Sequence, residues 1–199
     1  MFDLTNKIAV VTGGGSGIGK AVAVLFSKQG ATVHIIDLNT QAGEDTVGAI
    51  NASGGKAVMH CCSISNQEAV KSVFAEIGVF DILVNCAGIA HIGKASTTNE
   101  EDFDKVYQVN VKGTYNCLHA GIPMLQQRGG GVVLNVASTA ALVGIADRFA
   151  YSMSKGAVYA MTLSVAKDYS QDKIRCNSIS PARVHTPFVD GFLQKNYPD

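Results

Sequence analysis

Tyr151 and Lys155 stand four residues apart in YSMSK (151–155). On a helix that spacing puts a phenol and an amine on one face, about 5–6 Å apart at Cβ. An ammonium about 4 Å from a phenolic oxygen, at an effective dielectric of about 20, is worth about 4 kcal/mol. At about 1.36 kcal/mol per pKa unit, that would lower the phenol from about 10 by up to about three units. A tyrosine so tuned is a general acid/base near neutral pH. The same spacing also describes two residues that merely share a helix surface, so other motifs must decide.

The first of these is TGGGSGIG (12–19). Gly13, Gly17 and Gly19 allow a tight turn and a close approach of backbone to a pyrophosphate, with Ser16 and Ile18 in the same turn. A helix starting there offers free N–H groups and the positive end of its dipole. A glycine-rich turn between a strand and a helix is a specific signal; alone it is weak. Asp37 lies 18 residues past Gly19, at the end of a second apolar run, and Leu38 follows it. A carboxylate there accepts hydrogen bonds from both adenosine ribose hydroxyls and repels a 2′-phosphate, which favours NAD over NADP. The plainer role for Asp37 is to cap the following turn. His34, in the same run, has no evident partner and reads as structural.

The elements that must position these residues follow from the pattern of apolar runs. Residues 7–13, 31–37, 56–62, 80–88, 130–138 and 174–181 read as strands. Helical patterns separate them, two of them long, over about 100–127 and 150–170. Strands without alternation, each followed by a helix, are parallel strands buried on both faces. Right-handed crossovers then place helices on both sides of one sheet. The expected fold is α/β, a Rossmann-type doubly wound parallel sheet forming one domain over 1–199.

Composition narrows the partners. The chain has 199 residues, is 47% hydrophobic and carries 16 acidic and 16 basic groups, enough for one sizeable core. Zero net charge argues against a nucleic-acid footprint. No apolar run reaches transmembrane length, and the N-terminus opens on a strand rather than a signal peptide. Cys61, Cys62, Cys86, Cys117 and Cys176 show no metal-ligand spacing, since Cys61 and Cys62 are adjacent rather than a CxxC pair. They read as buried, reduced thiols of a cytoplasmic protein.

In order along the chain come the glycine turn, NCAG (85–88), Asn110 in VNVKG, Ser138 in NVAS, and YSMSK. This series resembles the short-chain dehydrogenase/reductase family of the classical type, from Asn6 to about Pro187. The resemblance implies a nicotinamide cofactor, NAD given Asp37, and hydride transfer to or from a carbonyl carbon. It implies that Tyr151 exchanges a proton with the substrate oxygen and that Ser138 hydrogen-bonds the same oxygen. Lys155 would lower the tyrosine pKa and hold the nicotinamide ribose, and Asn110 would hold a water linking Lys155 to a proton relay. Cofactor contacts would come from the glycine turn, Asp37, Leu38, Ser63, Ile64, Asn85, Cys86, Ala87, Gly88, Tyr151 and Lys155. SPARVHTP (180–187) would fold over the carboxamide through Pro181, Val184 and Thr186. The chemistry is self-consistent: hydride leaves as a two-electron unit, so a base for the proton and a donor for the oxygen suffice without a metal.

The pattern departs from the family at three places. Ser63 stands where an aspartate usually touches adenine, Cys86 where a second asparagine is usual, and Ala182 where a glycine is usual. Substrate groups are expected beyond the carboxyl ends of the strands. Arg148, Arg183 and His91 lie there with Ser138 and Tyr151, and three groups able to carry positive charge suggest an anionic small-molecule substrate. DRFAYSMSK and IRCNSISPARVHTP resemble a subgroup containing 3-hydroxybutyrate and 2-keto-3-deoxy-fuconate dehydrogenases, which implies a small hydroxy acid or sugar acid. The alternatives are a neutral sugar, an alcohol, a 3-oxoacyl substrate, or a non-catalytic NAD-responsive binding protein. Arg148 could instead pair with Asp147. Family members run about fifty residues longer, with a further strand and helix, so the chain is expected to be part of a longer protein. Residues 182–199 would form a substrate lid, and the two long helices the face of a homo-oligomer, dimer or tetramer.

Overall fold

The structure, a computed structural model, describes residues 2–186 together with 189, 190 and 194. The remainder of the expected lid, Pro187, Phe188 and most of 191–199, lies outside the described residues.

Six strands alternate with helices: β1 (Ile8–Thr12), α1 (Gly17–Lys28), β2 (Thr32–Asp37), α2 (Thr40–Ala52), β3 (Lys56–Cys61), α3 (Gln67–Ile77) and β4 (Ile82–Asn85). There follow α4 (Glu100–Val106), a π-helical segment (Tyr107–Lys112), α5 (Gly113–Arg128), β5 (Gly131–Val136), α6 (Phe149–Asp168) and β6 (Ile174–Ile179). All neighbours pair in parallel in the order β3-β2-β1-β4-β5-β6, the doubly wound sheet expected from the strand pattern. The chain reverses its direction of travel between β1 and β4, and the crevice above that switch point is where such sheets bind ligands.

Successive strand residues serve opposite faces. Val10 and Leu83 pack with Phe74, Leu118 and Leu125 on one side, while Val11 and Val84 pack with Val33, Ile35 and Ile50 on the other. All these side chains are at most 2% exposed except Leu118, which explains the unbroken apolar runs. The run 80–88 yields only four strand residues because the chain turns off after Asn85. There the N–H groups of Cys86 and Ala87 donate to Thr12 Oγ1 at 3.1 and 3.2 Å instead of continuing the ladder. The long helical span is broken by the π turn at Tyr107–Lys112, which apolar periodicity does not register.

Two readings of single residues are corrected by this packing. His34 has a partner: its Nδ1 lies 2.9 Å from His60 Nε2, the rings stack at 5.2 Å, and Glu76 Oε1 is 3.6 Å from His60 Nδ1. Cys61 is exposed because β3 is the edge strand; Cys62, Cys117 and Cys176 are buried, Cys86 partly so, and all five thiols are free. Among the described residues no helix is long and apolar enough to cross a membrane, and no cluster of groups could hold a metal ion.

Burial holds both His34 and His60 below the ordinary imidazole range, against the weaker pull of Glu76. The unfolded chain therefore binds protons that the fold refuses. Stability is intact above about pH 6.5 and is lost as pH falls below it towards the folded values. The melting temperature is expected to drop between pH 7.5 and 5.5, and His34→Gln to remove about half of that drop because the pair shares the burial cost. Equal pH dependence in both proteins would show that the pair is not responsible.

Candidate active site

A cleft of about 430 Å³ opens along the carboxyl ends of the strands, within the size range of small-ligand sites. The turn after β1 forms its floor. Gly13 adopts φ 69°, and a Cβ there would lie 2.8 Å from the Ala87 backbone. At Gly19 a Cβ would collide with the carbonyl oxygen of Gly13. Helix α1 begins with no side-chain cap from Ser16 and no acid in its first turn, so its free N–H groups face the cleft unneutralised. Such a cradle fits a pyrophosphate, with the Thr186 side chain beside Gly17 and the Cys86 thiol against Gly19 N–H.

Asp37 closes one end. Its Oδ2 accepts from Gly15 N–H and its Oδ1 from Asn39 N–H, each at 2.9 Å. The carboxylate thus braces the glycine turn and the turn after β2, the plainer role read from the sequence, and it also lines the cleft. Leu38, Ser63, Ile64, Cys86, Ala87 and Gly88 line it as expected. Ser63 Oγ shares a 2.8 Å hydrogen bond with Ser65 Oγ, and burial pushes the Cys86 thiol up. Pro181, Val184 and Thr186 cover the opposite wall, with Ala182, whose φ is not positive. The alanine at a usual glycine position thus carries no backbone strain. Val189 joins the same wall, the one residue beyond Thr186 that the structure brings to the cleft among those described.

Ser138, Tyr151 and Lys155 meet at the other end. Ser138 stands two residues past the end of β5 and accepts Ala140 N–H at 3.1 Å, which leaves its own hydrogen to donate to the Tyr151 oxygen. Tyr151 sits in the first turn of α6. Burial raises its phenol above the ordinary tyrosine value, while a hydrogen bond with Ser138 and the charge of Arg148 draw it back. This corrects the expectation that Lys155 depresses it. The helical face is shared, but Lys155 Nζ lies 5.9 Å from the Tyr151 ring centroid and donates to Val136 O at 2.8 Å. Burial lowers the Lys155 amine itself to about 8.

Five further residues are placed differently from the reading. Asn110 does not line the cleft: its Oδ1 accepts Ile89 N–H at 2.8 Å, and its Nδ2 donates to Ile89 O and Ser154 Oγ at 2.8 and 2.9 Å. With both amide hydrogens spent, its side chain fastens the post-β4 loop to α6 rather than presenting a donor. Asn85 lies beneath the cleft and donates to Asn135 Oδ1 at 2.8 Å. His91 pairs with Asp102 at 3.4 Å, and Arg183 is exposed beside the cleft wall without lining it. Arg148 Nη1 donates to Asp147 O at 2.8 Å and lines a neighbouring cavity of about 460 Å³ with Lys94.

Ser154 went unread although it stands inside YSMSK. Its hydroxyl donates to Tyr151 O at 2.8 Å while accepting from Asn110, so the pentapeptide carries its own brace. Val109 also lines the cleft, with Lys105 four residues before it.

Several known proteins resemble this chain. The family model described as short chain dehydrogenase matches residues 7–196. An uncharacterized oxidoreductase of Thermotoga maritima is 42% identical over 182 residues, 90% of this chain and 72% of that protein. A 3beta-hydroxysteroid dehydrogenase of Mediterraneibacter gnavus is 40% identical over 192 residues, 93% of this chain and 68% of that one. The crystal structure of levodione reductase superposes with a TM-score of 0.94 at 28% identity, covering 98% of this chain and 79% of its own.

Proposed function

The chain belongs to the short-chain dehydrogenase family, and from that premise we propose that it is an NAD-dependent oxidoreductase interconverting a secondary alcohol and a ketone. The observation that carries this is a single cleft lined at one end by Ser138, Tyr151 and Lys155 and at the other by the glycine turn and Asp37.

When bound, the nicotinamide would accept a hydride from the alcohol carbon or return one to the ketone carbon. The glycine turn would hold the pyrophosphate, and Asp37 and Lys155 the two riboses. Asp37 is what favours NAD over NADP. Tyr151 Oη takes the alcohol proton in oxidation and gives it back in reduction. Ser138 Oγ donates to the substrate oxygen, where negative charge develops. Asn110, through Ser154, holds the Tyr151 backbone in place. One domain working as a cytoplasmic homo-oligomer, with the exposed Tyr107, Tyr115, Tyr159 and Leu163 of the two long helical stretches in the interface, completes the proposal.

For the substrate we favour a small hydroxy acid or sugar acid. Its support is Arg148, whose charge is felt at Tyr151 and which lines the adjoining cavity with Lys94. Losing a charge-assisted hydrogen bond of about 1.5–3 kcal/mol, Arg148→Met should raise KM for acids about 10- to 100-fold and leave neutral alcohols unchanged. Equal effects on both would remove the acid from the proposal. A second reading has its own observation. Leu142 and Val143, a few residues past Ser138, are 58% and 60% exposed, apolar surface suited to a neutral alcohol with a hydrophobic body, as the name of the hydroxysteroid relative suggests.

A further inference from the structure

Helix α6, which carries Tyr151, opens like α1 without the side-chain cap that α2, α3 and α4 use. Helices α2, α3 and α4 each start on an asparagine whose side chain accepts a backbone N–H of the first turn. Arg148, at the same position before α6, makes no such bond. The first N–H of α6, that of Phe149, finds its acceptor across the fold in Gly93 O at 3.0 Å. Gly93 N–H in turn donates to Asp147 O at 3.1 Å, making an isolated parallel bridge between Gly93 and Arg148.

The same few residues hold Asp147 at φ 57°, a left-handed conformation uncommon for a side chain other than glycine. Its carbonyl also accepts Arg148 Nη1 at 2.8 Å, and Lys94 Nζ stands 4.0 Å from its carboxylate. A backbone in a sparsely populated region persists where its surroundings over-determine it, and such regions cluster at functional sites. A side chain at position 93 is admitted only if Thr98 and His91 move aside. A Cβ there would collide with Thr98 Oγ1 and lie 2.6 Å from His91 Cε1.

We infer that Gly93 is a positioning residue for the reaction, its backbone capping α6 from across the fold and thereby fixing Tyr151 against Ser138. The inference rests on the proposed role of Tyr151. It makes the loop after β4, which supplies Gly88 and Ile89 to the cleft, one rigid unit with the start of α6.

Gly93→Ala tests it, with Gly48→Ala on α2 as control, because a Cβ at Gly48 would meet nothing within 4 Å. Misplacement of a catalytic group by about 1 Å can cost about 10²-fold. Gly93→Ala should therefore lower kcat about 10- to 100-fold, hold NAD affinity within about twofold, and move the pH midpoint of kcat upward as Tyr151 loses Ser138. Gly48→Ala should match the parent. Should Gly93→Ala fail to fold by circular dichroism, Phe149→Pro removes the same N–H at a first helical position, where proline is tolerated, and must reproduce the loss. A folded variant that retains kcat within about twofold, or loses kcat and NAD affinity in equal proportion, overturns the inference. Tyr151→Phe run alongside separates the two claims. If it stays active, the role of Tyr151 fails; if it is dead while Gly93→Ala and Phe149→Pro are unaffected, only the positioning role of Gly93 fails.

Discussion

Tyr151→Phe is expected to lower turnover about 10²- to 10⁴-fold, the usual worth of a general acid/base. NAD should bind the variant as it binds the parent, because the phenol contributes little of the wall that the glycine turn, Asp37 and the 181–186 segment provide. The pH dependence follows from the environment of the phenol. Burial holds Tyr151 protonated beyond the ordinary tyrosine value, and Ser138 and Arg148 only moderate that. Oxidation of an alcohol needs the phenolate, so its kcat/KM should climb through the alkaline range. Reduction of a ketone needs the phenol and should fall over the same range. Steady-state rates in both directions, measured on parent and variant, check the pair of slopes. A variant that keeps more than a tenth of parental kcat would leave proton transfer to another group.

Lys155→Met is expected to lose turnover comparably while making the cofactor-free protein more stable. The Lys155 amine, 6% exposed, is lowered from 10.5 to about 8 by burial. That displacement corresponds to about 3 kcal/mol against keeping the ammonium buried. Methionine removes this cost but strips Val136 O of its donor, worth about 1–3 kcal/mol. The balance leaves about 1 kcal/mol of added stability at pH 7, or about 2–4 °C in a chain of this size. The gain should depend on pH. Between about 8 and 10.5 the unfolded lysine keeps a proton that the folded one has released, so the parent gains stability as pH rises and the difference closes. Melting curves at pH 7 and pH 10 test this directly. A destabilised variant at pH 7 would mean that the buried amine is a net structural asset.

What the sequence made legible, and what it did not, divides along physical lines. The glycine turn, Asp37, Ser138 and the YSMSK face could be read because their chemistry depends on residue type at a locally determined backbone position. The doubly wound sheet could be read because burial on both faces leaves an unbroken apolar signature. The parts that misled depend on distant partners. His34 gained His60 only through the pairing of β2 with β3, and His91 was claimed by Asp102 on α4. Asn85 was taken by Asn135, fifty positions along, and so lies under the cleft. The direction of the Tyr151 shift was missed for the same reason, since spacing speaks of Lys155 while burial is set by the whole fold. The π turn at Tyr107–Lys112 leaves the apolar pattern unbroken and so gives no sequence signal.

The most direct test of the central claim is the appearance of NADH from NAD⁺, with NADP⁺ in parallel, over a panel of 3-hydroxybutyrate, aldonic and 3-deoxy sugar acids, neutral sugars and cyclic alcohols. Tyr151→Phe serves as the blank. The proposal predicts NADH formation with at least one secondary alcohol, with NAD⁺ preferred to NADP⁺, and none in the blank. Equal rates in Tyr151→Phe, or a dinucleotide that binds and is never reduced by any member of the panel, would contradict it and leave a binding protein that keeps the fold of a dehydrogenase.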